Sequence, residues 1–228
     1  MAKYSIIFNK LKILAKKDAV HYASEMMSHP YSEEDGWGYA DVQRVDERVY
    51  AILQKRVSNY YRVWNDEIQQ IERQCFQIVI EVPFEMDFQY GLLIAEGTNA
   101  QLNRVKQSFR QVFWNEFVYE EIQLKPVDYI HIFAESHILI SVDELTINDF
   151  QYEDSMIGRY TAKLTSQQDI LSKIDKHSKN IIRAKLKINL NLNGDGTYLT
   201  VNNKNIVVLD STDESKEAFI GYMKSNIK

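Results

Sequence analysis

The residue types most able to do chemistry in this chain lie in HIFAESH (131–137), where His131, Glu135 and His137 could act as metal ligands. Read as part of an extended strand, YIHIFAESHILI (129–140), they share one face with Phe133. Side chains two residues apart on a strand are about 6.6 Å apart, which puts the two histidines nearly ~20 Å from each other. Zinc ligands sit about 2 Å from their ion, so one metal cannot take both unless a turn at 134–136 folds the strand. The expectation is therefore polar residues on the wetter face of a sheet, with no metal site and no cofactor.

Other chemical signals are weaker. NGDG (193–196) resembles the opening of a calcium loop but lacks a bidentate Glu at the right distance, and a hairpin turn accounts for it. GTNAQ (97–101) sets a glycine and a helix start after a strand, where phosphate can bind, yet it carries neither GxGxxG nor a P-loop lysine. There is no GxSxG, and Cys75 falls in an apolar run where a thiol is inert. A metal-dependent nuclease would pair an acid with Glu-x-Lys; Asp87 and Glu96 are candidate acids, but Thr98 stands where the lysine belongs. RAKLK (183–187) has lysines without the acid. No residue is assigned a catalytic role on this basis.

Two basic tracts suggest binding instead. Lys173, Lys176 and Lys179 are placed on a helix read over 167–181, facing away from Ile170 and Ile174, and Arg183, Lys185 and Lys187 continue past its end. Together they could track a phosphate backbone. In QKRVSNYYRVW (54–64), Lys55, Arg56 and Arg62 interleave with Tyr60, Tyr61 and Trp64, a mixture suited to stacking on single-stranded bases. The plainer reading of these tracts is a solvated helix face and a set of core aromatics, since the chain as a whole is acidic.

The elements that must position these residues follow from periodicity. CFQIVIEV (75–82) reads as a buried strand, PFEMD as a short connection and FQYGLLIA (88–95) as a second strand, the two forming a hairpin. A capped helix over 98–114 repeats Leu102, Val105, Phe109, Val112 and Phe113, and FVYEEIQL (117–124) reads as a strand. The stretch 142–156 is acidic and weakly periodic, and is the expected boundary. Beyond it, a strand at 157–164, the Ser166/Asp169-capped helix, a strand LKINLNLN (186–193), TYLTV (197–201), IVVL (206–209) and a helix capped by Ser211 give the order β-α-β-β-β-α. Toward the N-terminus YSIIF reads as a strand and DAVHYASEMMS (18–28) as a helix, while 42–64 fits either period.

Composition bounds the class. With 228 residues, 45% hydrophobic and 26% charged, the chain is globular and long enough for a sizeable core. One cysteine excludes an internal disulfide framework and suits a reducing compartment. The N-terminal apolar stretch is broken by Asn9, Lys10 and Lys12, and no run reaches the roughly 18 apolar residues of a membrane span, so a cytoplasmic location is expected. Richness in Ile, Asn, Lys and Tyr hints at an AT-rich microbial or phage genome. Net charge is -5, but residues 81–156 carry 14 acidic and 4 basic side chains (4 − 14 = −10), whereas 163–228 carry 11 basic and 7 acidic (11 − 7 = +4).

These observations lead to an α+β fold of two small units, each a mostly antiparallel sheet with helices packed on it: an N-terminal unit over 1–145, a C-terminal unit over 157–228, and an acidic linker over 146–156. The function expected is that of a non-enzymatic interaction protein, a subunit or adaptor with a protein partner. A nucleic-acid-binding module using the tracts at 173–187 and 55–64 is the first alternative, and an enzyme with an unfamiliar acidic site the second.

Overall fold

A computed structural model of the chain describes residues 2–153, 156–167, 170–190 and 196–227, with the side chains of residues 150, 152, 153 and 156 left aside. In chain order the elements are β1 (Ala2–Ile13), α1 (Ala19–Met27), β2 (Trp37–Val45), β3 (Arg48–Asn65), β4 (Gln70–Asp87), β5 (Leu92–Glu96), α2 (Asn99–Phe113), β6 (Phe117–Glu121), α3 (Pro126–Glu135), β7 (Leu139–Glu153), β8 (Met156–Lys163), α4 (Ile170–Lys176), β9 (Ile181–Ile188), β10 (Thr197–Asn202), β11 (Ile206–Ser211) and α5 (Asp213–Asn226). This is a mixed α+β fold built on antiparallel sheet. Its contacts divide into two compact units: unit 1 is Met1–Lys10, Glu96–Asn99 and Tyr119–Lys228, and unit 2 is Leu11–Ala95 and Ala100–Val118. Among the described residues, no helix is long and apolar enough to cross a membrane.

Unit 1 orders its strands β1-β11-β10-β9-β7-β8, each antiparallel to its neighbour. The strict alternation in β9 and β10 buries Ala184, Leu186, Ile188, Leu199 and Val201 on one side. Helices α3 and α5 pack on this sheet, α3 against β7, β9 and β10, and α5 against β11. Phe219 of α5 is the hub, with ring centroids 6.3 Å from Phe8 and 6.4 Å from Phe133, edge-on or tilted as the ring quadrupoles favour. The last helix is capped by Thr212, whose side chain accepts from Ser215 N, one residue after the expected Ser211.

In unit 2 the order is β2-β3-β4-β5. Helix α1 begins at Asp18, whose carboxylate accepts from His21 N. Its Tyr22 is fully buried against Phe88, Phe113 and Phe117, and its hydroxyl donates to Glu116, which also pairs with Lys17 at 2.6 Å. Burial alone would raise the Glu116 pKa, but these two donors hold its carboxyl below the usual range. Gly38 of β2 lies against the chain at Pro30 and Tyr31. A Cβ there would come within 2.3 Å of Tyr31 N, which fixes glycine at that position.

Several expectations are corrected by these elements. Residues 129–135 of the expected strand are helical: Pro126 occupies the first helical turn and Asp128 accepts from Lys125 N at 2.7 Å, so α3 starts there and only 139–140 are extended. The PFEMD segment is not a connection, since β4 runs to Asp87 and the turn falls at 88–91. The undecided 42–64 stretch is the end of β2 and most of β3, joined by a tight turn at 46–47. The helix read over 167–181 is α4 alone, and Ile181 begins β9. Of the acidic stretch 142–156, expected to hold a linker over 146–156, residues up to Glu153 belong to β7, paired on both sides by β8 and β9, where Glu144 faces Lys163 and Lys185. The Glu144 charge is tolerated because these cross-strand cations match it. Asp169 and the NGDG residues 193–195 lie outside the described residues.

Candidate functional site

The two basic tracts fall in different units, and each is rearranged by the fold. In unit 2, β3 and β4 pair along their whole 18-residue lengths, from Arg48↔Asp87 to Asn65↔Gln70. Strand β2 accompanies β3 only as far as Lys55, and β5 accompanies β4 only over Phe84–Asp87. Beyond those points the hairpin continues as a two-stranded arm of about 30 Å, ending in a turn at 66–69 where Asn65 Oδ1 accepts from Glu67 N and Ile68 N.

Register separates the arm's side chains into two faces. One carries Lys55, Val57, Asn59, Tyr61 and Val63 opposite Ile80, Ile78, Phe76, Gln74 and Glu72, in line with the buried Val49, Ala51 and Leu53 at the root, so its apolar side chains are interspersed with polar ones. Tyr61 meets Phe76 edge-on at 5.4 Å and its hydroxyl donates to Gln74. The other face carries Tyr60, Arg62 and Trp64 beside Cys75, Arg73 and Ile71. There the Arg73 guanidinium lies 4.0 Å over the Tyr60 ring, and Arg62 stands directly opposite Arg73. Neither arginine forms an ion pair among the described residues. Both faces are open: Tyr61 on the first is 45% exposed and Ile71 on the second 62%.

The five expected binding residues of this tract are therefore not one surface. Lys55 and Tyr61 are on the first face, Tyr60 and Arg62 on the second. Arg56 is a root residue; its backbone N–H donates to Gly36 O at 2.7 Å, and its guanidinium covers Gly36, which adopts φ +69°. The expectation of core aromatics for this tract fails, because Tyr60, Tyr61 and Trp64 are exposed, as is Cys75. Arg73 and Phe76 went unread because their role comes from cross-strand pairing. Once 70–87 is aligned antiparallel to 48–65, both fall opposite the tract.

In unit 1, the second tract is split between two layers. Helix α4 lies beside α3, where His131 Nε2 and Asp175 Oδ1 are 3.0 Å apart, so Lys173 and Lys176 leave from the helix layer, and Lys179 from the turn that follows. Arg183, Lys185 and Lys187 alternate with the buried residues of β9 and so occupy the sheet's other, open face. They are joined there by Tyr198 of β10, directly across from Lys187, and by Lys3 of β1. A shallow groove of about 480 Å³ runs across this face, bordered by Lys3, Arg183, Lys185, Tyr198, Asn202 and Asp210. Lys185 Nζ and Lys187 Nζ sit 5.6 Å and 5.3 Å from the centre of the Tyr198 ring, and Arg183 pairs with Glu144 at 3.4 Å. Tyr198 was legible: in TYLTV it alternates with Leu199 and Val201.

The HIFAESH residues do not converge. His131 is engaged with Asp175, and His137 follows the helix end at φ 56°. Among the described residues no three His, Cys, Asp or Glu side chains are grouped to hold a metal ion. No family model matches the chain, and no curated protein matches it in sequence.

Proposed function

We propose that this chain is an interaction protein, a subunit or adaptor that acts through macromolecular contact rather than catalysis, and that it docks a protein partner through the apolar face of the β3–β4 arm. The observation that carries this reading is the row of Val57, Tyr61, Val63, Phe76, Ile78 and Ile80 extending a core stripe past the last strand that accompanies it. These six apolar side chains cluster on one face, interspersed with Lys55, Asn59, Gln74 and Glu72, and an exposed apolar cluster rimmed by polar groups marks an interaction site. A bare two-stranded ribbon is also marginal in water. A partner laid on this face would bury the stripe and complete the arm's support.

The test is a variant with Tyr61→Ser, Phe76→Ser and Ile78→Thr, which removes apolar surface from exposed positions and leaves the core of unit 2 untouched. Native-lysate pull-downs read by mass spectrometry should recover a defined set of proteins with the wild-type chain and lose it with the variant, at unchanged melting temperature. Equal recovery by both would refute the arm as the docking element. Light scattering that shows a dimer only for the wild type would redirect the face to self-assembly.

Nucleic acid as a second partner of the arm is favoured by one observation: Arg62 and Arg73 oppose each other on a face that also presents Tyr60 and Trp64. Like charges directly across a ladder are destabilising, and an anion between them would relieve the repulsion.

A further inference from the structure

The open face of the unit 1 sheet is a separate feature, and we propose that it is a binding platform for single-stranded nucleic acid. Five cations, Lys3, Lys163, Arg183, Lys185 and Lys187, share this face with the carboxylates of Glu144 and Asp210, on a chain whose net charge is -5. One carboxylate, Glu144, is already engaged with Arg183, and Asp210 lies directly opposite Lys3 in the β1–β11 register. Lys185 stands across from Glu144 in the ladder, but neither it nor Lys187 forms an ion pair among the described residues. Their ammonium groups instead lie over the exposed Tyr198 ring, a place that a stacked base would take as the flexible lysines swing to its phosphates.

That combination selects the ligand class. A base can stack on the tyrosine while the phosphates on either side of it meet the two lysines; residues i and i+2 of a strand are about 6.6 Å apart, similar to successive phosphates of an extended strand. Asn202 and Thr200 continue the same face along β10 and supply hydrogen-bonding groups for base edges. A duplex keeps its bases stacked inside and would use the cations alone, leaving the ring without a role. A groove of about 480 Å³ suits a base or two, not a helix. This site shares no residue with the arm, so the two readings stand or fall separately.

The experiment uses the full chain and fluorescence anisotropy with labelled oligothymidylate and oligouridylate, at low and at physiological salt. The wild type should bind at least one of them, more weakly as salt rises. Tyr198→Ala should weaken binding about tenfold and Tyr198→Phe should restore it, since the ring and not the hydroxyl stacks. Lys185→Glu with Lys187→Glu should weaken binding at least about tenfold and flatten the salt slope by about 1.4 units, two single-strand phosphate contacts. Lys176→Glu, in the helix layer, should change nothing. The proposal is overturned if neither oligonucleotide binds, if affinity ignores salt, if Tyr198→Ala matches the wild type, or if polyglutamate competes as well as nucleic acid; the last result would assign the face to an acidic protein segment.

Discussion

Arg62 shows how much a single side chain on the arm reveals. It faces Arg73 across the ladder with no ion-pairing carboxylate among the described residues, and the Tyr60 ring beneath Arg73 offsets some of the crowding of charge. A residue selected for stability would be acidic at one of the two positions. Arg62→Glu should therefore raise the stability of the chain, by about 0.5 kcal/mol, through a cross-strand Glu–Arg pair. Thermal or urea unfolding checks this, and a loss of stability would show that Arg62 has a structural partner. Sequence alone suggested Arg62 and Tyr60 as binding residues, because cations beside aromatics are visible in one tract. It could not show that alternate residues of the tract leave on opposite faces, or that Arg56 is spent on covering Gly36. Those facts depend on register and on a left-handed turn ten and more residues away.

At the scale of elements, the largest misreadings share a cause. An apolar run was taken to be buried and an acidic run to be exposed, and both were reversed. CFQIVIEV is apolar along its length, but residues 75–79 form the arm's second strand and lie open. VDELTIND carries three carboxylates, yet it lies in β7 between two partners, with Val142, Leu145 and Ile147 buried. Local hydrophobicity reports what a strand could bury, whereas its neighbours decide what it does bury. The α3 segment failed differently: Tyr129, His131 and Phe133 alternate like a strand, while Val127, Ile130 and Phe133 keep helical spacing, and Pro126 at the helix start was the signal that decides between them. Elements whose pattern and boundaries agree, such as α1, α2, β10 and β11, were legible, whereas the strand read over 186–193 is β9, shifted back to Ile181–Ile188. This inversion predicts where the chain is cut. A Glu-specific protease should cleave first at Glu67 in the exposed arm turn, while Glu144, held in the middle of a ladder, survives. Peptide mapping of an early time point settles it, and first cleavage at Glu144 would mean that β7 opens more readily than the arm.

For the whole molecule, chain order and compact unit do not coincide. Reading from a boundary near 146–156 predicts that 157–228 is a self-sufficient β-α-β-β-β-α unit, and its internal order is indeed β8, α4, β9, β10, β11, α5. In the fold, however, β11 has as its outer partner β1, from Ala2↔Ser211 to Ile7↔Ile206, and β9 has β7. The same N-terminal strand brings the fully buried Ile6 and Phe8, the latter against Phe219, and α3 supplies Ile130 and Phe133 beneath β9 and β10. A fragment of 157–228 would therefore lose both strands that flank its three-stranded core and two rings of its aromatic cluster. It would expose two open strand edges and an apolar sheet face. Removing several fully buried side chains at once costs more than the 5–15 kcal/mol or so by which a domain is usually stable, given about 3–5 kcal/mol for each large one lost. The isolated fragment should thus be unfolded or aggregated, with no cooperative thermal transition by circular dichroism and collapsed amide dispersion by NMR. The full chain should melt cooperatively under the same conditions. A monomeric fragment with a sharp transition and dispersed amides would restore the C-terminal segment as an autonomous domain, and would mean that β1 and β7 are additions to a finished core.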